Sequence, residues 1–149
     1  MVKVKNRYVL VRLESTDKAK LNIPGHELYR EMLRLISEFH GDFGHAKCSR
    51  ITVKIMEDDI AVIRVPADDS TIAFSVLPFI RVLKGVSLTA SILFVGRSIR
   101  TLQKRLVKIR RNELTMMLSK CESLYERKKV LEAIRSVTGK IEFEGRTES

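Results

Sequence analysis

Residues 49–65 read SRITVKIMEDDIAVIRV, and the fold follows from how this stretch is divided. Over Ser49–Met56 the residues Ile51, Val53 and Ile55 alternate with polar ones, the period of two expected of a half-buried strand. Ile60 to Val65 is more uniformly apolar and reads as a second strand. Glu57, Asp58 and Asp59 lie between them and supply a turn, so the pair is expected to form a hairpin.

Upstream, Asn6 to Leu13 is rich in β-branched and aromatic residues and reads as a strand. After the turn-prone Asn22, Pro24 and Gly25, the residues Leu28, Met32, Leu35, Ile36 and Phe39 recur at helical spacing, and Gly41 is placed to end that helix. Downstream, Asp68, Asp69 and Ser70 offer N-cap chemistry to a helix carrying Ile72, Ala73, Val76, Leu77, Ile80 and Leu83, with Pro78 kinking it and Lys84-Gly85 closing it. Val86 to Val95 has the composition of a fourth strand, and Ile99 onward returns to helical periodicity, with further helical segments from Glu113 to Ser119 and from Leu124 to Val137. The order strand-helix-strand-strand-helix-strand predicts an α+β protein, a ferredoxin-like (RRM-like) α/β sandwich, βαββαβ, with additional C-terminal helices. The expectation is one α/β domain over residues 1–138, its C-terminal helices included, and a flexible tail over 139–149.

Charge is distributed unevenly. The chain of 149 residues carries a net charge of +10, a pI of about 9.9 and a mean hydropathy of -0.06. Between Ser70 and Asn112 there is no Asp or Glu, while Arg81, Lys84, Arg97, Arg100, Lys104, Arg105, Lys108, Arg110 and Arg111 supply nine positive charges. The rest of the chain is nearly neutral. One strongly basic region on a neutral background points to a localised phosphate-binding face, because a solubility surplus would be scattered. No apolar run approaches the roughly 20 residues of a membrane span, and Lys3, Lys5 and Arg7 precede no signal-peptide core, so a soluble, unprocessed protein is expected. Cys48 and Cys121 are too few for a disulfide framework; both are expected to be core thiols in a reducing compartment.

On a helix advancing about 100° per residue, Arg100, Lys104, Lys108 and Arg111 fall within an arc of roughly 80°, and Ile99, Leu102, Leu106 and Ile109 lie opposite. The ordinary fate of a charge run is a solvated helix surface, but such surfaces interleave acids into i,i+4 pairs and this one has none. A membrane-surface helix would carry Trp or Phe on its apolar side, and these are absent here. At the start of the segment, Gly96 permits a sharp exit from the strand and Ser98 can cap the helix, leaving freed amides beside Arg97 and Arg100 as a phosphate site. Lys5 and Arg7, flanking the first strand, are candidate secondary contacts. An ordinary strand-to-helix turn accounts equally for Gly96 and Ser98, and the two readings are compatible.

No active site assembles from the remaining residues, and no catalytic residue or metal ligand is assigned. His26, His40 and His45 are irregularly spaced; Gly41, Gly44 and Gly96 form neither a phosphate-cradling loop nor a dinucleotide fingerprint. Gly41 and Gly44 are expected to shape a helix-to-strand loop. Adjacent acids in a tight hairpin, such as Glu57, Asp58 and Asp59, are far more often turn residues than Mg²⁺ ligands. Readers of single strands with this strand order stack bases on aromatic residues of their central strands. Here Ile60 to Val65 has no aromatic residue and the first strand offers only Tyr8. RNA is therefore expected to be met mainly through phosphates, with the sheet face left for packing against protein.

Four segments, in order, carry a family resemblance: Val4-Lys5-Asn6-Arg7-Tyr8, His40-Gly41-Asp42-Phe43-Gly44-His45-Ala46-Lys47-Cys48-Ser49, Leu77-Pro78-Phe79-Ile80, and Val95-Gly96-Arg97-Ser98-Ile99-Arg100-Thr101-Leu102-Gln103-Lys104. Together they resemble the Pop-five protein subunit family of ribonuclease P, over about Met1 to Leu118, and its eukaryotic members more than its archaeal ones. The resemblance implies a protein that is not itself an enzyme, beside a catalytic RNA that uses Mg²⁺ to remove the 5′ leader of precursor tRNA. It further implies service to ribonuclease MRP, with its role in rRNA processing, and a place in the nucleus including the nucleolus. The implied partners are the ribonuclease P RNA, a TIM-barrel ribonuclease P subunit, and a related small α/β subunit or a second copy. The family's Gly-Thr-Ile-Arg element falls on Arg97-Ser98-Ile99-Arg100, with Arg97 in place of the glycine and Ser98 in place of the threonine, and Val65 stands where the family has a cysteine. A different class of function, a protein-protein adaptor whose basic helix docks an acidic partner, would bind RNA only incidentally. A free-standing nuclease would need a carboxylate constellation that the sequence does not offer.

Overall fold

Strand β1 (Asn6–Ser15) is the middle of an antiparallel sheet and is buried on both faces, through Val9, Val11 and Leu13 on one and Leu10 on the other. In the computed structural model, which describes residues 5–17 and 20–144, it pairs with β3 (Ile60–Pro66) on one side and β5 (Val86–Gly96) on the other. β2 (Thr52–Glu57) pairs with β3 and a two-residue β4 (Val82–Leu83) with β5, giving the order β2-β3-β1-β5-β4. Without β4 this is the strand order of the ferredoxin-like fold expected from sequence. Residue shifts between Leu10 and Val11, and between Val53 and Ile55, are bulges that strengthen the sheet's twist.

The chain divides into two compact units, Met1–Leu102 and Gln103–Ser149. In the first, α1 (Gly25–Cys48) buries Leu28, Met32, Leu35 and Ile36, and α2 (Ser70–Val76) buries Ala73 and Val76. They share one core with Val9, Val11 and Leu13 of β1 and Ala61, Ile63 and Val65 of β3. Leu10, Ile60 and Val62, which point to the opposite face of the sheet, are at most 4% exposed. Helix α3 (Ile99–Lys120) starts in the first unit and continues into the second, which also holds α4 (Leu124–Glu144).

Several expectations are corrected. Gly41 breaks α1 without ending it: its φ of 65° and ψ of −165° redirect the chain, and helix resumes to Cys48. Gly44 therefore lies buried in helix, not in a loop. The helix expected to reach Leu83 stops at Val76. Pro78 sits in a 3-10 turn, Leu77–Phe79, and Ile80 is already extended. Lys84 (φ 49°) and Gly85 (φ 75°) are then the two left-handed residues of a tight hairpin turn joining β4 to β5, not a helix cap. Asp69 makes no side-chain cap for α2, because a preceding 3-10 turn, Ala67–Asp69, lets the Ser70 N–H donate to the Ala67 carbonyl. α3 runs unbroken through Glu113–Ser119, and α4 extends past Val137 and Gly139 to Glu144. Residues 145–149 of the expected tail lie outside the described residues. Cys48 is fully buried, but Cys121 is only half-buried, its thiol donating to the Met117 carbonyl at 3.2 Å.

Candidate nucleic-acid interface

The basic element begins where β5 leaves the sheet. Gly96, paired with Tyr8, is buried, and a Cβ there would stand 2.6 Å from Leu102 Cδ1 and 3.2 Å from Phe94 Cε1. Its φ is not positive, so what sets this position apart is the close approach of the Leu102 side chain from the first turn of α3, not a sharp exit from the strand. The expected cap is present: the Thr101 N–H donates to Ser98 Oγ at 3.3 Å, and the two hydroxyls lie 2.8 Å apart. Arg97, Ser98 and Arg100 are exposed, and the first turn of α3 contains no acid.

Further along α3, Lys104, Lys108 and Arg111 are exposed and share the Arg100 side of the helix. Among the described residues, Arg97, Arg100, Lys104, Lys108 and Arg111 carry no ion pair. The exposed face of α1 behaves differently: Arg34 is clamped by Glu31 and Glu38, each at 2.8 Å, and Arg30 lies 3.7 Å from Glu27. Hydrogen bonds and charge from Glu31, then from Glu38, raise the Arg34 pKa. Arg105 and Arg110 lie roughly 140° and 280° round from Arg100, off the cationic arc, and both engage other groups. On the other side, Leu102 is 1% exposed, and Ile99, Leu106 and Ile109 are half-buried.

The register brings Lys5 and Arg7 to the same end of the sheet as Gly96. Arg7 is half-buried and pairs with Val65; Lys5 is exposed, and its carbonyl accepts the Ala67 N–H at 2.8 Å. Sequence reasoning missed Arg64, which sits directly opposite Tyr8 on β3. Its signal was present: it is the one cation in the otherwise apolar Ile60–Val65. Toward the far end of the sheet two cations have acid partners, Arg12 at 3.6 Å from Asp59 and Lys20 at 3.4 Å from Asp58. The hairpin acids are thus engaged in ion pairs and a turn in which Asp58 has φ 46°.

The remaining candidates do not form a reaction centre. His40 Nε2 lies 2.9 Å from Ser75 Oγ. His26 and His45 line an open groove of about 780 Å³ along α1 with Tyr29, Leu33, Arg34 and Glu38. Burial, with a smaller contribution from the Asp69 charge, pushes the Cys48 thiol up to about 11, far from the range of a nucleophile. Among the described residues no cluster of three or more His, Cys, Asp or Glu could hold a metal ion, and no helix is long and apolar enough to cross a membrane.

Comparison with known proteins identifies the family of the chain. The family model described as Rpp14/Pop5 family matches residues 7–107. The human ribonuclease P/MRP protein subunit POP5 is 31% identical over 142 residues, which cover 90% of this chain and 87% of the relative. The zebrafish (Danio rerio) POP5 is 31% identical over 147 residues, 91% of this chain and 86% of the relative. A chain of the cryo-EM structure of yeast ribonuclease MRP superposes with a TM-score of 0.52 at 18% identity, covering 66% of this chain and 78% of that one, and so shares its fold. With a family model matching residues 7–107, from the second residue of β1 into α3, and relatives matched along nine-tenths of its length, this chain belongs to the Rpp14/Pop5 family.

Proposed function

We propose that the chain is a non-catalytic protein subunit of ribonuclease P, and of ribonuclease MRP, that binds and stabilises the catalytic RNA. The observation that carries this reading is the row of exposed cations on α3, beginning at the Gly96–Arg100 element and lacking acid partners among the described residues. The names of the relatives, ribonuclease P/MRP protein subunits, support the particular particle. In this reading Arg97 and Arg100 grip a phosphate at the start of the helix, and Lys104, Lys108 and Arg111 act as an electrostatic rail along the backbone. Cleavage of the 5′ leader of precursor tRNA, with its Mg²⁺, belongs to the RNA. The surrounding subunits are a TIM-barrel protein and a small α/β protein or a second copy, and the site of action is the nucleus, including the nucleolus.

Reversing two charges tests it. Arg100→Glu with Lys104→Glu should abolish binding to ribonuclease P RNA while leaving the thermal transition nearly unchanged, because both side chains are exposed. Wild-type affinity should fall on the order of 100-fold between about 50 and 200 mM salt if five cations meet phosphates. Salt-independent binding, or full binding by the double variant, would sink the proposal.

A further inference from the structure

On the face of the sheet turned away from α1 and α2, one row runs across four strands. Thr52 of β2 pairs with Arg64 of β3, Arg64 with Tyr8 of β1, and Tyr8 with Gly96 of β5. Most of this face is closed, since Leu10, Ile60 and Val62 are at most 4% exposed. No platform for several stacked bases is available there. At the end of the sheet the situation changes: Tyr8, Arg64 and Thr52 are only half-buried, while the place over Gly96 is taken by the Leu102 and Phe94 side chains, so the accessible part of the row lies on the Tyr8–Arg64 side. Directly opposed residues of antiparallel strands hold their Cβ atoms about 4.5–5.5 Å apart, so the phenol and the guanidinium share one small area.

The guanidinium is short of a counter-charge. Arg64 Nη2 donates one long bond, 3.4 Å, to the neutral Thr52 hydroxyl, and no carboxylate pairs with it among the described residues. Arg12, on the same face but four residues along β1, has Asp59 at 3.6 Å. A half-buried guanidinium loses part of its hydration, and an anion arriving beside it offsets that loss. Arg97 follows Gly96 directly and Arg100 comes three residues later in the first turn of α3, so a phosphate chain held by them passes next to the row.

We infer that Tyr8 and Arg64 form a subsite for one unpaired nucleotide of RNA, its base on the Tyr8 ring and its phosphate against the Arg64 guanidinium. The inference rests on the RNA-binding reading above and sharpens it. A base within a duplex cannot stack on a side chain in this way, so the row selects a single-stranded position while the α3 cations accept either form.

The test uses the full chain with two probes, a ten-nucleotide oligoadenylate and an RNA duplex of similar length. Tyr8→Leu should weaken oligoadenylate binding by roughly 5- to 150-fold, the range for losing one stacked base, and Arg64→Gln, which gives up a charge-assisted hydrogen bond to a phosphate, by roughly 10- to 150-fold. Tyr8→Phe keeps the ring and should bind within about two-fold of wild type. Duplex binding should be unchanged in Tyr8→Leu and lost in the Arg100→Glu, Lys104→Glu variant. Tyr8→Leu and Arg64→Gln proteins that bind oligoadenylate like wild type, or a Tyr8→Leu protein that loses both probes equally while remaining folded, would overturn the subsite and leave the α3 assignment standing. If Tyr8→Leu does not fold, Arg64→Gln decides. Failure of the wild type to bind either probe would overturn both.

Discussion

At Gly96 one hydrogen atom in place of a methyl group sets how the helix meets the sheet. The Leu102 Cδ1 that a Cβ would approach to 2.6 Å belongs to a side chain that is 1% exposed, with little room to retreat. Gly96→Ala should therefore destabilise the protein by about 1–3 kcal/mol, the usual cost of overpacking, read as a lower urea midpoint. Cys48 makes a second residue-level prediction. Its thiol ionises near 9 when unfolded and near 11 in the fold, so above pH 9 the unfolded state binds fewer protons and stability declines as pH rises, levelling off above about 11. Compared with Cys48→Ala, wild type should lose up to about 1.4 kcal/mol more per pH unit within that window. Parallel stability curves for the two proteins would contradict the assignment.

The elements show which kinds of pattern a sequence carries. Period-two alternation in Ser49–Met56 and the apolar run Ile60–Val65 located the β2–β3 hairpin to within three residues, because sheet burial imposes that period directly. The segment from Ile72 to Leu83 misled: its apolar residues fit a helix, yet Pro78 removes an amide donor and the Lys84-Gly85 pair suits a hairpin turn as well as a helix end. Ile80 and Leu83 are buried although they are not helical, so the apolar spacing that marks buried positions did not separate the two conformations. Gly41 was ambiguous for a related reason, since a left-handed glycine both ends helices and kinks them. With φ 65° and ψ −165°, and nothing within 4 Å of an added Cβ, Gly41→Ala should cost about 1–3 kcal/mol through backbone strain alone. Thermal or urea unfolding of the variant would measure it; wild-type stability would mean the kink is not held in the native state.

Across the whole molecule, charge is sorted by the fold. Near the β2–β3 hairpin Arg12 and Lys20 pair with Asp59 and Asp58, while Lys5, Arg7, Arg64 and Arg97 gather at the end where α3 begins. The α3 half of this surface was legible because a helix maps sequence spacing onto azimuth, so an acid-free run announces its own face. The sheet half was not, because Tyr8 and Arg64 are 56 positions apart and meet only through strand register. Lys5 and Arg7 could be named as basic residues near a strand, but their adjacency to Gly96 is a product of the β1–β5 pairing. The central claim, a ribonucleoprotein subunit that holds RNA through α3, is tested most directly by recovering the protein from its native cell. Affinity-tagged wild type should carry ribonuclease P or ribonuclease MRP RNA with it, and the Arg100→Glu, Lys104→Glu variant, folded and equally abundant, should not. Wild type recovered without either RNA, or both proteins recovered with equal amounts of it, would contradict the account.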